Sequence, residues 1–290
     1  MKITLLVSGG LGYTILKDVY ESKYELVAVF TNKTSSAIVD FCKKNNISFF
    51  AKNPRKGAAN DFIKNINCDI LLSVNYLYIV EKDLLQLPQQ YAINLHGSLL
   101  PKYRGRTPHV WAIINGEKEA GVTAHLMTEG VDEGDILKQI KISISQNNTG
   151  AEILSEYQKI YPELVKVVLA KAVKGTLQPQ VQDNSQATYF GKRTPEDGQI
   201  NWDWSKERIR NWIRAQARPY PGAFTFYQNQ KFSIHQAIFS SLGFNYDQPN
   251  GTLLSIDNQS LTVKTSNGAL RLSELVNTEK ITFVKNDCLQ

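Results

Sequence analysis

The feature that most limits the possible folds is a rhythm in the first half of the chain. Short apolar, β-branched runs alternate with stretches of helical spacing. Ile3–Val7, Glu25–Thr31, Ile47–Phe50, Asp69–Val74 and Tyr91–His96 have the length and composition of strands. Between them, Tyr13–Ser22, Ser36–Lys44, Ala59–Asn65 and Glu81–Leu87 read as helices. Parallel strands need such crossovers, so the expected fold is α/β, a doubly wound, mostly parallel Rossmann-like sheet. Pro108–Asn115 reads as a further helix, with Thr107 as N-cap and Pro108 at the first helical position. Strands over Val122–Thr128 and Ile136–Ile144 and a helix over Ala151–Lys174 complete this part.

Beyond it the pattern changes. Gly175–Ala187 is polar and reads as a linker crossing the surface. A helix over Trp204–Ala217, capped by Ser205, is broken by Pro219-Tyr220-Pro221-Gly222. Short strands follow at Ala223–Tyr227, Lys231–Ala237, Thr252–Ile256, Ser260–Thr265 and Ala269–Leu272, separated by turn residues. They predict a small antiparallel barrel or sandwich. Two domains are therefore expected, 1–190 and 200–290.

No apolar run approaches the roughly 20 residues of a membrane-spanning helix, so no membrane association is expected. Cys42, Cys68 and Cys288 are widely spaced, form no CxxC pair and read as reduced thiols of a cytoplasmic protein, with no metal site. The net charge of +6 invites a nucleic-acid partner. Its distribution does not support one, because residues 201–290 carry ten Lys/Arg against seven Asp/Glu, without a run of like charge.

The chemistry is concentrated in Ala92-Ile93-Asn94-Leu95-His96-Gly97-Ser98 and in the later Asp132-Glu133-Gly134-Asp135. Strand alternation places Asn94 and His96 on one face and Ile93 and Leu95 on the other. Gly97-Ser98 ends the strand, so the polar pair sits at its C-terminal tip, where open α/β sheets bind ligands. An imidazole beside a carboxylate suits acid–base catalysis, and a carboxamide can stabilise an oxygen gaining charge. These parts fit acyl transfer in which the substrate supplies the nucleophile. Two polar strand residues can equally bond neighbouring loop ends, Asp132 alone reads as a turn residue, and spacing does not show that it reaches His96. The other histidines, His109, His125 and His235, read as structural.

Two further stretches can hold anions. Ser8-Gly9-Gly10 follows a strand and opens a helix, where backbone N–H groups can bind a pyrophosphate. It lacks the G-x-G-x-x-G pattern, and no acidic residue closes the second strand, so a nicotinamide dinucleotide is not expected. Lys102, Tyr103, Arg104 and Arg106 lie just beyond the polar tip and can bind carboxylate or phosphate.

Asn-Leu-His-Gly-Ser-Leu-Leu-Pro-Lys-Tyr-Arg-Gly-Arg, from Asn94 to Arg106, with the later Asp-x-Gly-Asp, resembles the 10-formyltetrahydrofolate-dependent formyltransferase family. The likeness continues through Tyr189-Phe190-Gly191-Lys192-Arg193 and Pro219–Phe224, covering nearly the whole chain. It implies a doubly wound first domain followed by a smaller β-barrel-like (OB-like) one. It implies that His96 is the acid/base, Asn94 the oxyanion stabiliser, and Asp132 the group that raises and positions the histidine. It places folate against Tyr78, Ile79, Val80, Arg106 and the loop Thr128, Glu129, Gly130, Val131, Asp132. Ser8, Gly9, Gly10, Ser98, Lys102, Tyr103 and Arg104 are the expected substrate contacts. The co-substrate implied is 10-formyltetrahydrofolate, with no metal.

Within that family, Tyr-Arg-Gly-Arg-Thr-Pro, Phe-Gly-Lys-Arg-Thr-Pro-Glu-Asp-Gly and Pro-Gly-Ala-Phe look most like enzymes acting on nucleotide-linked amino sugars. Methionyl-tRNA formyltransferases carry a longer basic insertion after the second strand, whereas Thr31–Ala37 here is short and nearly uncharged. The expectation is a sugar N-formyltransferase acting on dTDP-4-amino-4,6-dideoxyglucose or a similar 4-amino sugar. Its product would serve O-antigen assembly, and the enzyme is expected to be a homodimer. Methionyl-tRNA formyl transfer and non-catalytic folate binding are the alternatives.

Overall fold

The computed structural model describes residues 1–290. The chain forms two compact units. One comprises Met1–Gly105, Gly121–Lys141 and Tyr157–Tyr189; the other comprises Arg106–Ala120, Ile142–Glu156 and Phe190–Gln290. No helix is long and apolar enough to cross a membrane.

The elements run β1 (Lys2–Val7), α1 (Gly9–Tyr20), β2 (Glu25–Phe30), α2 (Ser36–Lys44), β3 (Phe49–Phe50), α3 (Asn60–Ile63), β4 (Cys68–Val74), α4 (Lys82–Leu85) and β5 (Pro88–His96). Then come β6 (Arg104–Gly105), α5 (Pro108–Ile114), β7 (Glu119–Leu126), β8 (Ile136–Ser143), α6 (Gly150–Val173) and β9 (Tyr189–Phe190). The large sheet has the order β3-β2-β1-β4-β5-β7-β8. Strands β3 to β5 are mutually parallel, and β7 lies antiparallel to β5. Strand order reverses between β1 and β4, which creates the crevice typical of doubly wound sheets. Strands β1 and β4 are almost wholly buried, as expected for a sheet covered on both faces.

Three local readings change. Helix α1 begins at Gly9 rather than Tyr13, because the glycines let the chain turn at once out of β1. Gly9 takes φ +65°, and a Cβ on Gly12 would lie 3.0 Å from Val7, so glycine here serves close packing. Thr107 does not cap α5 with its side chain: it is left-handed (φ 51°), and its hydroxyl is buried without a partner. The stretch Gly175–Ala187 is more than a surface linker. Gln180 exchanges both backbone hydrogen bonds with Ile136 at 2.8 and 2.9 Å, so the segment is stitched to the start of β8.

In the second unit, α7 (Lys206–Ala215) is capped by Ser205, whose hydroxyl accepts from the Arg208 N–H. Five strands follow, β10 (Ala223–Tyr227), β11 (Gln230–Ser240), β12 (Leu253–Asp257), β13 (Ser260–Thr265) and β14 (Gly268–Val276). They form an antiparallel sheet of order β10-β11-β14-β13-β12. Residues 287–290 bridge its two edges. Gln290 exchanges backbone bonds with Phe226 at 2.9 and 3.1 Å, and the Leu289 and Leu253 N–H groups donate to Gly251 and Asp287 at 3.0 and 2.8 Å. These bonds cover part of each edge strand, in keeping with a barrel-like form.

Candidate active site

Strand β5 ends in two polar stations, half-buried Asn94 and buried His96. Its register with β7 pairs Asn94 with His125 and His96 with Thr123, so all four lie at one end of the sheet. After Gly97 the chain doubles back. The Ser98 hydroxyl donates to the Lys102 carbonyl at 2.7 Å, and the Thr123 hydroxyl donates to the Ser98 carbonyl at 2.6 Å. This brings the Tyr103 carbonyl to 2.8 Å from Nε2 of His96. A carbonyl only accepts, so Nε2 carries a proton and Nδ1 is the nitrogen left for chemistry.

Asp132 meets that nitrogen. Its Oδ2 stands 3.4 Å from His96 Nδ1 and accepts from the Gly105 N–H at 3.0 Å. Its Oδ1 accepts from the Asn94 amide at 3.4 Å. The spacing of Asp-x-Gly-Asp follows from close approach, since a Cβ on Gly134 would lie 1.9 Å from the Leu126 carbonyl oxygen. The three residues singled out in the sequence are therefore brought together.

Sequence reasoning missed a fourth member. His125 is buried, its Nδ1–H donates to the Leu126 carbonyl at 2.7 Å, and its Nε2 lies 3.1 Å from the Asn94 amide nitrogen. Nε2 is also 3.4 Å from Asp132 Oδ1. In the tautomer with its proton on Nδ1, Nε2 accepts, and the Asn94 carboxamide then turns its NH₂ toward His125 and Asp132. The reverse orientation would set an amide oxygen against a carboxylate. Strand alternation places His125 on one face of β7, but only the β5–β7 register shows what it faces.

Electrostatics define the resting state. Burial tends to raise the Asp132 carboxyl, but His96, His125 and the Gly105 N–H outweigh it and hold the group at about 2. Burial pushes the His96 imidazole below its ordinary value; Asp132 and the Tyr103 carbonyl pull it upward and His125 adds to the fall. The expectation that Asp132 raises the histidine thus describes the pair alone. Desolvation dominates the total, and His96 rests neutral beside an ionised Asp132 at neutral pH.

The expected ligand contacts divide. Arg104 departs from expectation: its side chain is fully buried, and the guanidinium donates to the Tyr189 hydroxyl at 2.6 Å and to Gln182 and Asn184 at 2.8 Å, with Glu133 at 3.8 Å. It is occupied by protein groups and is not presented to a ligand. Tyr103 and Ser98 are buried and hold the turn, whereas Lys102 is exposed. Ser8 is buried at the start of α1 with its hydroxyl unpartnered, and the Gly9 N–H already donates to the Ser35 hydroxyl at 2.9 Å. Nothing within 4 Å would meet a Cβ on Gly10.

The two loops assigned to folate belong to the first unit. Val80 and Met127 pack on a common core cluster containing Leu6, Phe30 and Leu71, so the loops that begin there share a base. Tyr78 stands edge-on to Tyr76, while Ile79 and Val131 are 56% and 51% exposed, apolar surfaces of the kind a flat ring can cover. Thr128 and Glu129 are exposed, Gly130 is half-buried, and Arg106 is exposed in the second unit. No group of three or more His, Cys, Asp or Glu side chains is arranged to hold a metal ion.

The formyl transferase family model matches residues 1–169, and the model of that family's C-terminal domain matches residues 192–287. The chain belongs to the formyl transferase family. Its fold is similar to that of WlaRD, a sugar 3N-formyl transferase crystallised in the presence of dTDP and 5-N-formyl-THF. TM-score is 0.76 at 22% identity, covering 96% of this chain and 98% of that one. It is also similar to an N-formyltransferase from Helicobacter canadensis in complex with folinic acid and dTDP-3-aminofucose, with TM-score 0.74, 20% identity and coverages of 94% and 97%. A methionyl-tRNA formyltransferase from Clostridium thermocellum matches with TM-score 0.56, 20% identity and coverages of 94% and 98%.

Proposed function

We propose that this formyltransferase moves the formyl group of 10-formyltetrahydrofolate to the amine of a dTDP-linked amino-dideoxyhexose. The observation that carries the reading is a neutral, buried His96 whose Nδ1 faces ionised Asp132 beside Asn94, with Ser98 already bonded within its turn. Such a site has a proton acceptor and an amide donor but no nucleophile of its own. The substrate must supply the nucleophile, and an amine does so. The two sugar N-formyltransferase likenesses and the modest, scattered charge of residues 201–290 favour a nucleotide sugar over tRNA.

In this reading the formyl carbon sits between Asn94 and His96. As the amine nitrogen bonds to it, an Asn94 N–H turns from Asp132 to the oxygen that gains charge. His96 Nδ1 takes the proton shed by the amine, and Asp132 steadies the imidazolium. That proton then passes to N10 of the folate as the carbon–N10 bond breaks, giving a formamide and tetrahydrofolate. Tyr78, Ile79, Val80 and Thr128–Asp132 would cradle the folate. Lys102 and the Ser8–Gly10 turn offer donors to the diphosphate.

The ring position follows from the same assay that tests the reading. Formyl transfer is measured across dTDP- and UDP-linked 3-amino and 4-amino sugars and charged initiator tRNA. A dTDP-amino sugar should be the best acceptor, with the 4-amino-4,6-dideoxyglucose derivative as the leading candidate and O-antigen assembly in the cytoplasm as its setting. Transfer to tRNA alone would overturn the proposal, as would folate binding without transfer to any amine. Sedimentation tests the homodimer expected of the enzyme.

A further inference from the structure

Asp132 takes a left-handed backbone conformation, φ +55°, uncommon for L residues though less so for Asp. What holds it is Gln182, a 5% exposed carboxamide from the segment that reads as a linker. Its Nε2 donates to the Asp132 carbonyl at 2.8 Å and to the Gly134 carbonyl at 2.7 Å, clamping the turn from both sides. Its Oε1 accepts from Arg104 Nε and Nη2 at 3.2 and 2.8 Å, so the amide cannot flip without setting its NH₂ against the guanidinium. Arg104 is held in turn by Asn184 and Tyr189 and directly precedes Gly105, whose N–H binds the Asp132 carboxylate. The clamp therefore grips Asp132 by its backbone and its side chain together.

We propose that Gln182, anchored by Arg104, is a positioning residue for formyl transfer: it sets the Asp132 carboxylate against Nδ1 of His96. This inference rests on Asp132 acting with His96 as proposed above. The carboxamide commits its NH₂ to this one turn and its oxygen to the Arg104 anchor, which is the arrangement needed to hold a reacting group within a fraction of an ångström.

The test is Gln182→Glu. A carboxylate keeps Arg104 but presents lone pairs to the Asp132 and Gly134 carbonyls, so the turn is pushed away while the buried cation stays paired. The variant should keep KM for folate and sugar nucleotide within about twofold and lose on the order of 100-fold in kcat. The acidic limb of its kcat/KM profile should move to lower pH. Asp132 is the charge that raises His96, and His125, the other titratable group facing it, lowers it. Arg104→Lys, which keeps the charge and loses the two-pronged hold, should give a smaller fall of the same kind and serves if the first variant does not fold. A role confined to stability would lower Tm and leave kcat per folded enzyme and the limb unmoved, and that result overturns the inference. Asp132→Asn separates the two layers. If it turns over normally, the acid–base reading fails and this inference with it. If it is impaired while Gln182→Glu and Arg104→Lys are normal, only this inference fails.

Discussion

His125→Leu tests whether the second histidine matters to the chemistry. The substitution removes the acceptor 3.1 Å from the Asn94 amide nitrogen and the donor to the Leu126 carbonyl. Two half-buried groups lose a partner, and Asn94 keeps its bond to Asp132, so unfolding free energy should fall by about 1–2 kcal/mol. The kinetic effect follows from the amide. Without Nε2 to fix it, the Asn94 carboxamide can rotate, and a positioning bond of about 1–3 kcal/mol corresponds to roughly 5- to 150-fold in kcat. Loss of an oxyanion donor outright, about 100- to 1,000-fold, is the ceiling. Steady-state kinetics with saturating folate should show the loss in kcat and little change in either KM. A double-mutant cycle sharpens the test: Asn94→Ala with His125→Leu should be no slower than Asn94→Ala alone, because the histidine acts through the asparagine. Fully additive losses, or a folded His125→Leu enzyme within twofold of wild type, would refute the reasoning.

Three other outcomes are expected. Because burial holds His96 below the ordinary histidine value and the neutral ring accepts the proton, kcat/KM should rise with pH through a midpoint below 6.5; a midpoint above 7 that tracks no substrate group would contradict this. His109, half-buried and bonded to the Tyr220 hydroxyl at 3.0 Å, is held at about 4 by loss of solvent, so the unfolded chain takes up a proton first as pH falls. Its contribution is full above 6.5 and is lost toward about 4, and His109→Gln should reduce the drop in urea stability between pH 7 and 4.5 by at most about 2 kcal/mol. Gly134→Ala would put a Cβ 1.9 Å from the Leu126 carbonyl oxygen, so it should cost about 1–3 kcal/mol or more and depress kcat by shifting Asp132; a Tm and kcat like wild type would count against the close approach.

Much of the fold was legible because it depends on local periodicity. The apolar runs of β1, β4 and β5 and the turn residues around β10 to β14 mark those strands directly. Asn94 and His96 were legible for the same reason, since alternation along one strand puts both on one face. His125 was not, because what it faces depends on the register of β7 against β5, a pairing between segments far apart in sequence. Arg104 was misread because a cation in a polar loop looks solvated, and its partners Gln182, Asn184 and Tyr189 arrive from some 80 residues away. Gln182 carried no local signal at all. Thr107 misled because its residue type suits a cap while its left-handed backbone does not.

The most direct test of the central claim is single-turnover formyl transfer by His96→Asn, with binding of both substrates measured alongside. Removing the acid/base should slow the chemical step by about 100- to 10,000-fold while the sugar-nucleotide Kd stays within a few fold. A folded variant that binds both substrates and transfers formyl at nearly the wild-type rate would contradict it.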